Sequence, residues 1–454
     1  MDTNGPKMGG ASARETLPAY SGTYLSMFYD EIIRLAEFVR DRQVPNIVSA
    51  MTEAYQRRSA GGTIYSHVLV GHFAMFAASP GIPGQPSVLP QRADRNVAAD
   101  YDDMKEGDFL LTNGPSLVNP DKATIPEVGP NEARVRGAYT VGITCSYVRF
   151  YKTPIGALVP VKMTTSIEDI SDLVIDSGCT WSCGVIATPD IPEFKIISSS
   201  GISQFLVYWA CTAALCRQIG TRGRDDGTAT ATEYLDKALA SFREIRENEF
   251  DTIDRVARQW TEHILKYRNE KDVSRKPRLL VYGSPQAGAP YEGTLNMFVN
   301  DAYETAAGTM IAQPYELYKT DLKPIDIVLI GSIAPGNGDE IQVAEFARRI
   351  GAMTVAFGPF GGGSGGPLLS DHVDVAIDTH SGDGAGVLEV EGFDEKIGPI
   401  SGLSGNLVLW LLTAQWTYHM VQRNETPFFW QNYLEVGAVD YDNLTHAKFL
   451  ERGY

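Results

Sequence analysis

The sequence predicts an α/β protein made of two copies of one parallel-sheet unit, and three observations carry that prediction. The first is Lys323–Ala352, KPIDIVLIGSIAPGNGDEIQVAEFARRIGA. Five apolar residues between Ile325 and Ile330 are interrupted by Asp326 alone. A polar, Gly-rich turn follows over Gly331–Gly338, and then Val343, Phe346, Ala347 and Ile350 recur at helical spacing. A short continuous apolar run, a turn and a 3.6-period segment read as a buried parallel strand, a loop and a helix. The second observation is that Met353–Phe357 is apolar again, which closes a strand–helix–strand unit. Ligands of such sheets sit beyond the carboxyl ends of the strands, so Gly331–Asp339 is the first place to look for function.

The third observation is that the order of segments repeats. GGTIYSHVLVGHF after Ala60 parallels KPRLLVYGSPQAG after Arg275, EGDFLLTNGPSLVNP parallels PIDIVLIGSIAPGNG, and RGAYTVGIT parallels IGAMTVAFG. ISDLVID parallels LSDHVDVAID, and SSGISQFLVYWAC parallels ISGLSGNLVLWLL. The offset is roughly 215 residues for the first three pairs and roughly 200 for the last two, and an extra loop in the first half accounts for the shortfall.

Taken in order, Met1–Pro18 is Gly-, Ser- and Thr-rich and is expected to be a disordered tail. A helical pattern runs from Tyr24 to about Arg58, and Pro45 is expected to break it into two helices. Thr63–Val70, Phe109–Thr112, Tyr139–Thr144 and Leu173–Ile175 read as strands of the first unit, with a long insertion at about Ser146–Glu168. Ser198–Ser203 opens a helix over Gln204–Gln218. Gly220–Thr232 lacks periodicity and reads as a linker. A long helical region follows to about Tyr267, in which Asp251 is expected to cap a second helix. Each unit is therefore expected to open with a helical hairpin. The expected division is a tail over 1–18, a first unit over 19–220, a linker over 221–232 and a second unit over 233–454.

Bulk properties narrow the function. The 454 residues carry a net charge of −17, which argues against general nucleic-acid binding, because that depends on neutralising phosphates with Lys and Arg. No apolar run approaches the ~20 residues of a membrane span. The odd count of five cysteines, with no signal peptide at the N-terminus, leads us to expect a reducing cytoplasm. Cys179 and Cys183 have a spacing open to a metal, but no second Cys or His pair accompanies them, and a structural role is the expectation. Neither GxxxxGK[ST] nor GxGxxG after a first strand occurs, so neither a nucleotide kinase nor a dinucleotide enzyme is expected. No cofactor is expected.

In DIVLIGSIAPGNGDEIQVAEFARRIGAMTVAF, LSDHVDVAIDTHSGDG and IGPISGLSGN the chain resembles the SIS (sugar isomerase) phosphosugar-binding family, here in two copies over about Tyr20–Gly220 and Asp251–Tyr454. The tail PFFWQNYLEVGAVDYDNLTHAKF is similar to the C-terminal part of a bacterial single-SIS family of unassigned activity. The resemblance implies two three-layer αβα units with five-stranded parallel, flavodoxin-like sheets. It implies a sugar or sugar-phosphate ligand held between SIS units, and pairing of such units into a homodimer or higher oligomer. A phosphate favours backbone N–H groups, Ser or Thr hydroxyls and a helix N-terminus. Ser401 and Ser404 supply the late Ser-rich helix start in the second copy, and Ser198–Ser200 with Ser203 do so in the first. Helix capping is the alternative for these serines. The loops after the earlier strands depart from the family's hydroxyl-rich pattern. They hold Gly331, Ser332 and Asn337 in one copy and Thr112, Asn113 and Ser116 in the other, with prolines that remove donors. Gly283, Ser284, Ser66 and His72 flank the first-strand loops. A neutral sugar, or one with another anionic group, fits as well as a phosphosugar.

The resemblance leads us to expect aldose–ketose isomerisation through an enediol. That needs a base near neutral pH and often a His to open the ring. The favoured base is Glu391, in LEVEGFDEK before the Ser-rich helix start. His380, after the strand Val375–Ile377, His446 in the C-terminal helix, His67 by the first-strand loop and Glu292 at a helix start are the further candidates. A structural reading stands beside each: a solvated acidic loop for Glu391, a helix-dipole position for Glu292. The first copy has only Glu193 near the place of Glu391, so the two copies are expected to be unequal. The alternatives are a non-catalytic sugar-phosphate-binding regulator, and an amino-sugar deaminase or lyase on the same scaffold.

Overall fold

The structure is a computed structural model. It describes residues 22–67, 103–113, 117–118, 129–147, 165–181, 184–283, 310–311, 321–336, 338–361, 365–429, 431 and 438–452, with single positions between 84 and 89. The expected disordered tail, 1–18, and most of the first-half insertion lie outside the described residues.

The first half opens with α1 (Tyr24–Phe38), a π turn (Val39–Gln43) and α2 (Val44–Ser59). Then come β1 (Ile64–His67), β2 (Phe109–Asn113), β3 (Leu117–Val118), α3 (Gly129–Val135), β4 (Tyr139–Thr144), β5 (Thr165–Ser166), α4 (Ile167–Ile170) and β6 (Leu173–Asp176). A hairpin of β7 (Ile186–Thr188) and β8 (Ile191–Ile196) leads into α5 (Ser200–Gly220). The second half repeats the order. It runs α6 (Thr228–Leu265), β9 (Leu279–Gly283), β10 (Met310–Ile311), β11 (Ile327–Gly331), α7 (Gly338–Ile350), β12 (Met353–Gly358) and β13 (Val375–Asp378). A hairpin of β14 (Gly386–Leu388) and β15 (Ile397–Pro399) leads into α8 (Ser401–Val421), and α9 (Ala438–Arg452) closes the chain.

The two sheets are parallel and share one strand order. The first is β1-β2-β4-β6 and the second is β10-β9-β11-β12-β13, so β1, β2, β4 and β6 correspond to β9, β11, β12 and β13. The expected five strands occur in the second sheet only with the two-residue β10; the first pairs four among the described residues. Both faces of each sheet are covered, which is why the central strands are apolar without alternation. Leu329 and Ile327 face an inner core, while Val328 and Ile330 pack on Val343, Ala344 and Ala347 of α7. In the first sheet Phe109 and Leu111 face inward and Leu110 packs outward with Ala133 of α3. The period-2 geometry of a strand makes that division.

The inner core is one body. α1, α2, α5, α6 and α8 fill the space between the sheets, and their apolar faces join with the inner faces of both. α1 of the first half packs on α8 of the second, and α6 of the second packs on α5 of the first. Tyr24 stacks edge-on to Tyr418 and Phe28 lies against Trp410 across that seam.

Two expectations about helices are corrected. Pro45 does not end the first helix, and Asp251 caps nothing. The backbone stays helical from Phe38 through Val44, and Pro45 falls in the first turn of α2 just after the π turn. The wider turn admits a residue that lacks an N–H and would otherwise clash with the preceding turn. Asp251 is an exposed residue inside the 38-residue α6. Phe242, Ile245, Ile253 and Val256 are buried on both sides of it, so one continuous stripe keeps one helix. Each unit thus opens with one uninterrupted helical stretch, not a hairpin: α1, the π turn and α2 in the first, α6 in the second. Residues 228–232 of the expected linker belong to α6.

Candidate functional site

The loop after β13 meets the first turn of α8 through Ser241 of α6, and β12 packs on the same helix. At the end of β13, Asp378 Oδ1 accepts the N–H of His380 at 2.8 Å and of Phe360 at 3.2 Å. This turn holds His380 in the left-handed region, with φ +48°. Ser241 of α6 ties the loop to α8: its hydroxyl donates to the Thr379 carbonyl at 2.9 Å and stands 2.8 Å from Ser404 Oγ. Thr379 and Ser381 bond to each other through their hydroxyls. α8 has Ile400 in the cap position, which offers no side-chain acceptor, so its first-turn amides carry no side-chain cap. Ser401 Oγ is buried there with no hydrogen-bond partner among the described residues.

His380 also meets two carboxylates of α6. Its Nε2 is 3.3 Å from Glu249 Oε1 and its Nδ1 is 3.5 Å from Glu244 Oε2. Burial pushes the Glu249 carboxyl up from its ordinary range; the facing imidazole and the Asp378 backbone N–H oppose this without cancelling it. Glu249 was absent from the sequence candidates. Its signal is readable in retrospect: it lies four residues after Ile245 and four before Ile253, on the buried stripe of its helix.

The first half places different residues at the same positions. Asn113 ends β2 where Gly331 ends β11, and Gln204 is the fifth residue of α5 where Gly405 is the fifth of α8. Asn113 Nδ2 donates to Gln204 Oε1 at 2.7 Å, and Gln204 Nε2 donates to Cys145 Sγ at 3.1 Å. That chain of side chains has no counterpart at the second half's glycines. The Cys145 thiol is pushed well up, first by burial and then by Cys179. Gly178, φ +78°, follows β6 as His380 follows β13. A Cβ on Gly178 would sit 2.5 Å from the Phe38 ring, so no His fits there. Gln43 Oε1 accepts the N–H of Asp176 at 3.1 Å, the role Glu249 has toward Asp378.

The remaining sequence candidates are scattered. Ser332 is buried and its hydroxyl is spent within its own turn on Ala334. Gly283 is a packing requirement, because a Cβ there would lie 2.4 Å from the Gly331 carbonyl oxygen. Thr112 and Ser66 are buried on β2 and β1. In the first half's helix start, Ser198 and Ser200 bond to each other and Ser203 donates to the Ser200 carbonyl. Glu391 is exposed on the β14–β15 turn and pairs with Arg224 at 2.9 Å. That turn touches Gly220, at the C-terminal end of α5. His446 stacks on Phe449 of its own helix, and α9 leans on the turn before β9, at the amino end of the second sheet. Asn337, Ser284, Glu292, His72 and Ser116 lie outside the described residues, as does the His67 side chain. No group of three or more metal-ligating side chains exists among the described residues, and none of their helices is long and apolar enough to cross a membrane.

No family model matches the chain. Curated relatives include the UPF0309 proteins of Listeria monocytogenes serotype 4b, 30% identical over 134 residues, and of Listeria innocua, 28% identical over 134 residues. The match takes in 27% of this chain and 54% of each relative, so the chain spans about half the length of the curated relatives it matches. Among solved structures, the C-terminal domain of glucosamine-fructose-6-phosphate aminotransferase from Francisella tularensis has a TM-score of 0.46 and 11% identity, over 87% of this chain and 98% of that one. Tagatose-6-phosphate ketose/aldose isomerase from Escherichia coli has a TM-score of 0.43 and 13% identity, over 90% of this chain and 97% of that one. The fold class that the SIS resemblance implies, parallel α/β units in duplicate, is the one this chain has.

Proposed function

We propose that the chain binds a small carbohydrate bearing a phosphate or another anionic group at the carboxyl ends of the second sheet, and isomerises it between aldose and ketose forms through an enediol. The observation that carries the reading is the start of α8. Its first-turn amides lack a side-chain cap and a buried Ser401 hydroxyl has no partner among the described residues. A helix N-terminus with free donors favours an anion by its dipole and its N–H groups together. The names of the Francisella and Escherichia neighbours contain sugar phosphates, which agrees in kind. The isomerase part rests on His380 at the end of β13, an imidazole that can both donate and accept a proton.

The test is a thermal-shift panel of sugars with and without phosphate, followed by ¹H NMR in D₂O for exchange at C1 or C2. A phosphosugar that raises Tm and exchanges a carbon-bound proton supports the reading; binding without exchange favours the regulator. Ser401→Ala is expected to weaken binding at least tenfold, about 1.4 kcal/mol or more. It is expected to leave Tm unchanged or slightly raised, because removing an unpaired buried hydroxyl deletes a desolvation cost. Undiminished binding by Ser401→Ala would move the anion away from α8.

A further inference from the structure

We propose that Glu249 on α6 is the base that moves the proton between carbons, with His380 as its hydrogen-bonding partner and proton relay, and that the equivalent positions of the first half, Gln43 and Gly178, carry no such pair. The inference rests on the isomerase reading and names its base. Four observations meet here. Glu249 and His380 are mostly shielded from solvent and face each other across 3.3 Å, a loose contact of the kind that tightens when substrate arrives. His380 adopts a backbone conformation that the other copy gives to glycine, and a side chain there is disfavoured. Glu249 is a half-buried carboxylate at the helical spacing of Ile245 and Ile253, whose side chains are fully buried. The internal repeat keeps the frame and drops the chemistry: Gln43 and Gly178 hold the same places, and Gln43 repeats the backbone bond without an ionisable proton.

Ser241 connects this pair to the anion-binding end of α8 through Ser404 and Thr379, so both parts share one loop. Glu391, by contrast, belongs to a surface ion pair near the start of α6. Ser241 is level with the start of α8, and Arg224 precedes α6, whose roughly 13 residue steps from Thr228 to Ser241 at 1.5 Å each put Glu391 ~20 Å along the helix from the strand ends.

The step balances without a cofactor. A Glu249 carboxylate oxygen takes the proton from the carbon beside the carbonyl; the C–H electron pair becomes the C=C bond of the enediol. The carbonyl π electrons move to oxygen, which takes a proton from His380. The neighbouring hydroxyl then gives its proton back to His380 as its O–H electrons form the new carbonyl. The C=C electron pair takes the first proton from Glu249 at the adjacent carbon. Nothing is oxidised overall. The titratable groups facing the pair are Glu244 toward the imidazole and Asp378, whose carboxylate charge pushes the Glu249 carboxyl up while its backbone N–H draws it down.

The experiment compares the full-length protein with Glu249→Gln, His380→Asn and, as a control elsewhere on α6, Glu233→Gln. It measures C1/C2 deuterium incorporation into the phosphosugar panel, binding by thermal shift, and Tm. Glu249→Gln is expected to lose at least a hundredfold in exchange rate while binding within threefold of the parent. Its Tm at pH 7 is expected to hold or rise, which a purely structural Glu249 would not give. His380→Asn is expected to lose at least tenfold and to shift the pH profile of what remains. Exchange within threefold of the parent in Glu249→Gln overturns the pair and leaves the isomerase reading standing. A parent that binds phosphosugars and exchanges none overturns the isomerase reading, and the pair with it.

Discussion

Single residues show how the duplication preserved structure and divided chemistry. Asp326, the one charge inside the apolar run of β11's approach, is fully buried. Its carboxylate accepts the backbone N–H of Arg278 at 3.0 Å and of Lys323 at 2.9 Å, and meets the Arg278 guanidinium at 2.6 Å. Asp108 repeats this before β2, accepting from Thr63 at 2.8 Å and Lys105 at 2.9 Å. These are staples between adjacent strand starts, and the sequence hid them as interruptions. Asp326→Ala leaves two backbone amides without their acceptor and the half-buried Arg278 guanidinium without its carboxylate, and is expected to cost about 3 kcal/mol in urea unfolding. Glu249 behaves in the opposite way. Its folded-state titration point is raised by burial, so the folded state holds its proton more tightly than the unfolded chain. Stability from this group is therefore greatest at low pH and falls as pH climbs from the ordinary carboxyl value through the raised one. The Tm difference between Glu249→Gln and the parent is expected to be positive at pH 7 and to vanish near about pH 4. A difference of opposite sign would mean that the ionised carboxylate stabilises the fold.

Elements were legible in the sequence where one pattern dominated. β11, α7 and β12 follow from an apolar run, a Gly-rich turn and a helical stripe, and their bounds lie close to those expected. The long opening helices were misread because local breakers were given more weight than packing. Pro45 lacks a donor and Asp251 can cap, yet buried stripes run past both, and a helix in a protein owes more to its apolar face than to propensity. The π turn is a tertiary solution that no window of sequence displays. Asp251→Pro, at an exposed position inside α6, is expected to cost about 3 kcal/mol. A cost under about 1 kcal/mol would instead suit a helix that starts there.

At the scale of the molecule, the two halves share their core. α1 covers α8 and α6 covers α5, so cutting between the halves would bare apolar faces on both sides. Urea unfolding followed by fluorescence and by circular dichroism is expected to give one coincident transition; two separated transitions would show independent halves. The sequence alone determined the α/β class, the duplication and the strand ends as the place to look. Those depend on periodicity and order, which a linear chain displays directly. It also marked Ser401 and His380, because both sit beside strong punctuation. Only the tertiary structure decided which carboxylate accompanies that histidine. Glu249 and His380 are 131 positions apart in the chain. Their meeting depends on one uninterrupted helix crossing under a strand-end loop, which no local pattern encodes. The same packing set Glu391 aside with Arg224 and filled the first half's strand ends with Asn113 and Gln204.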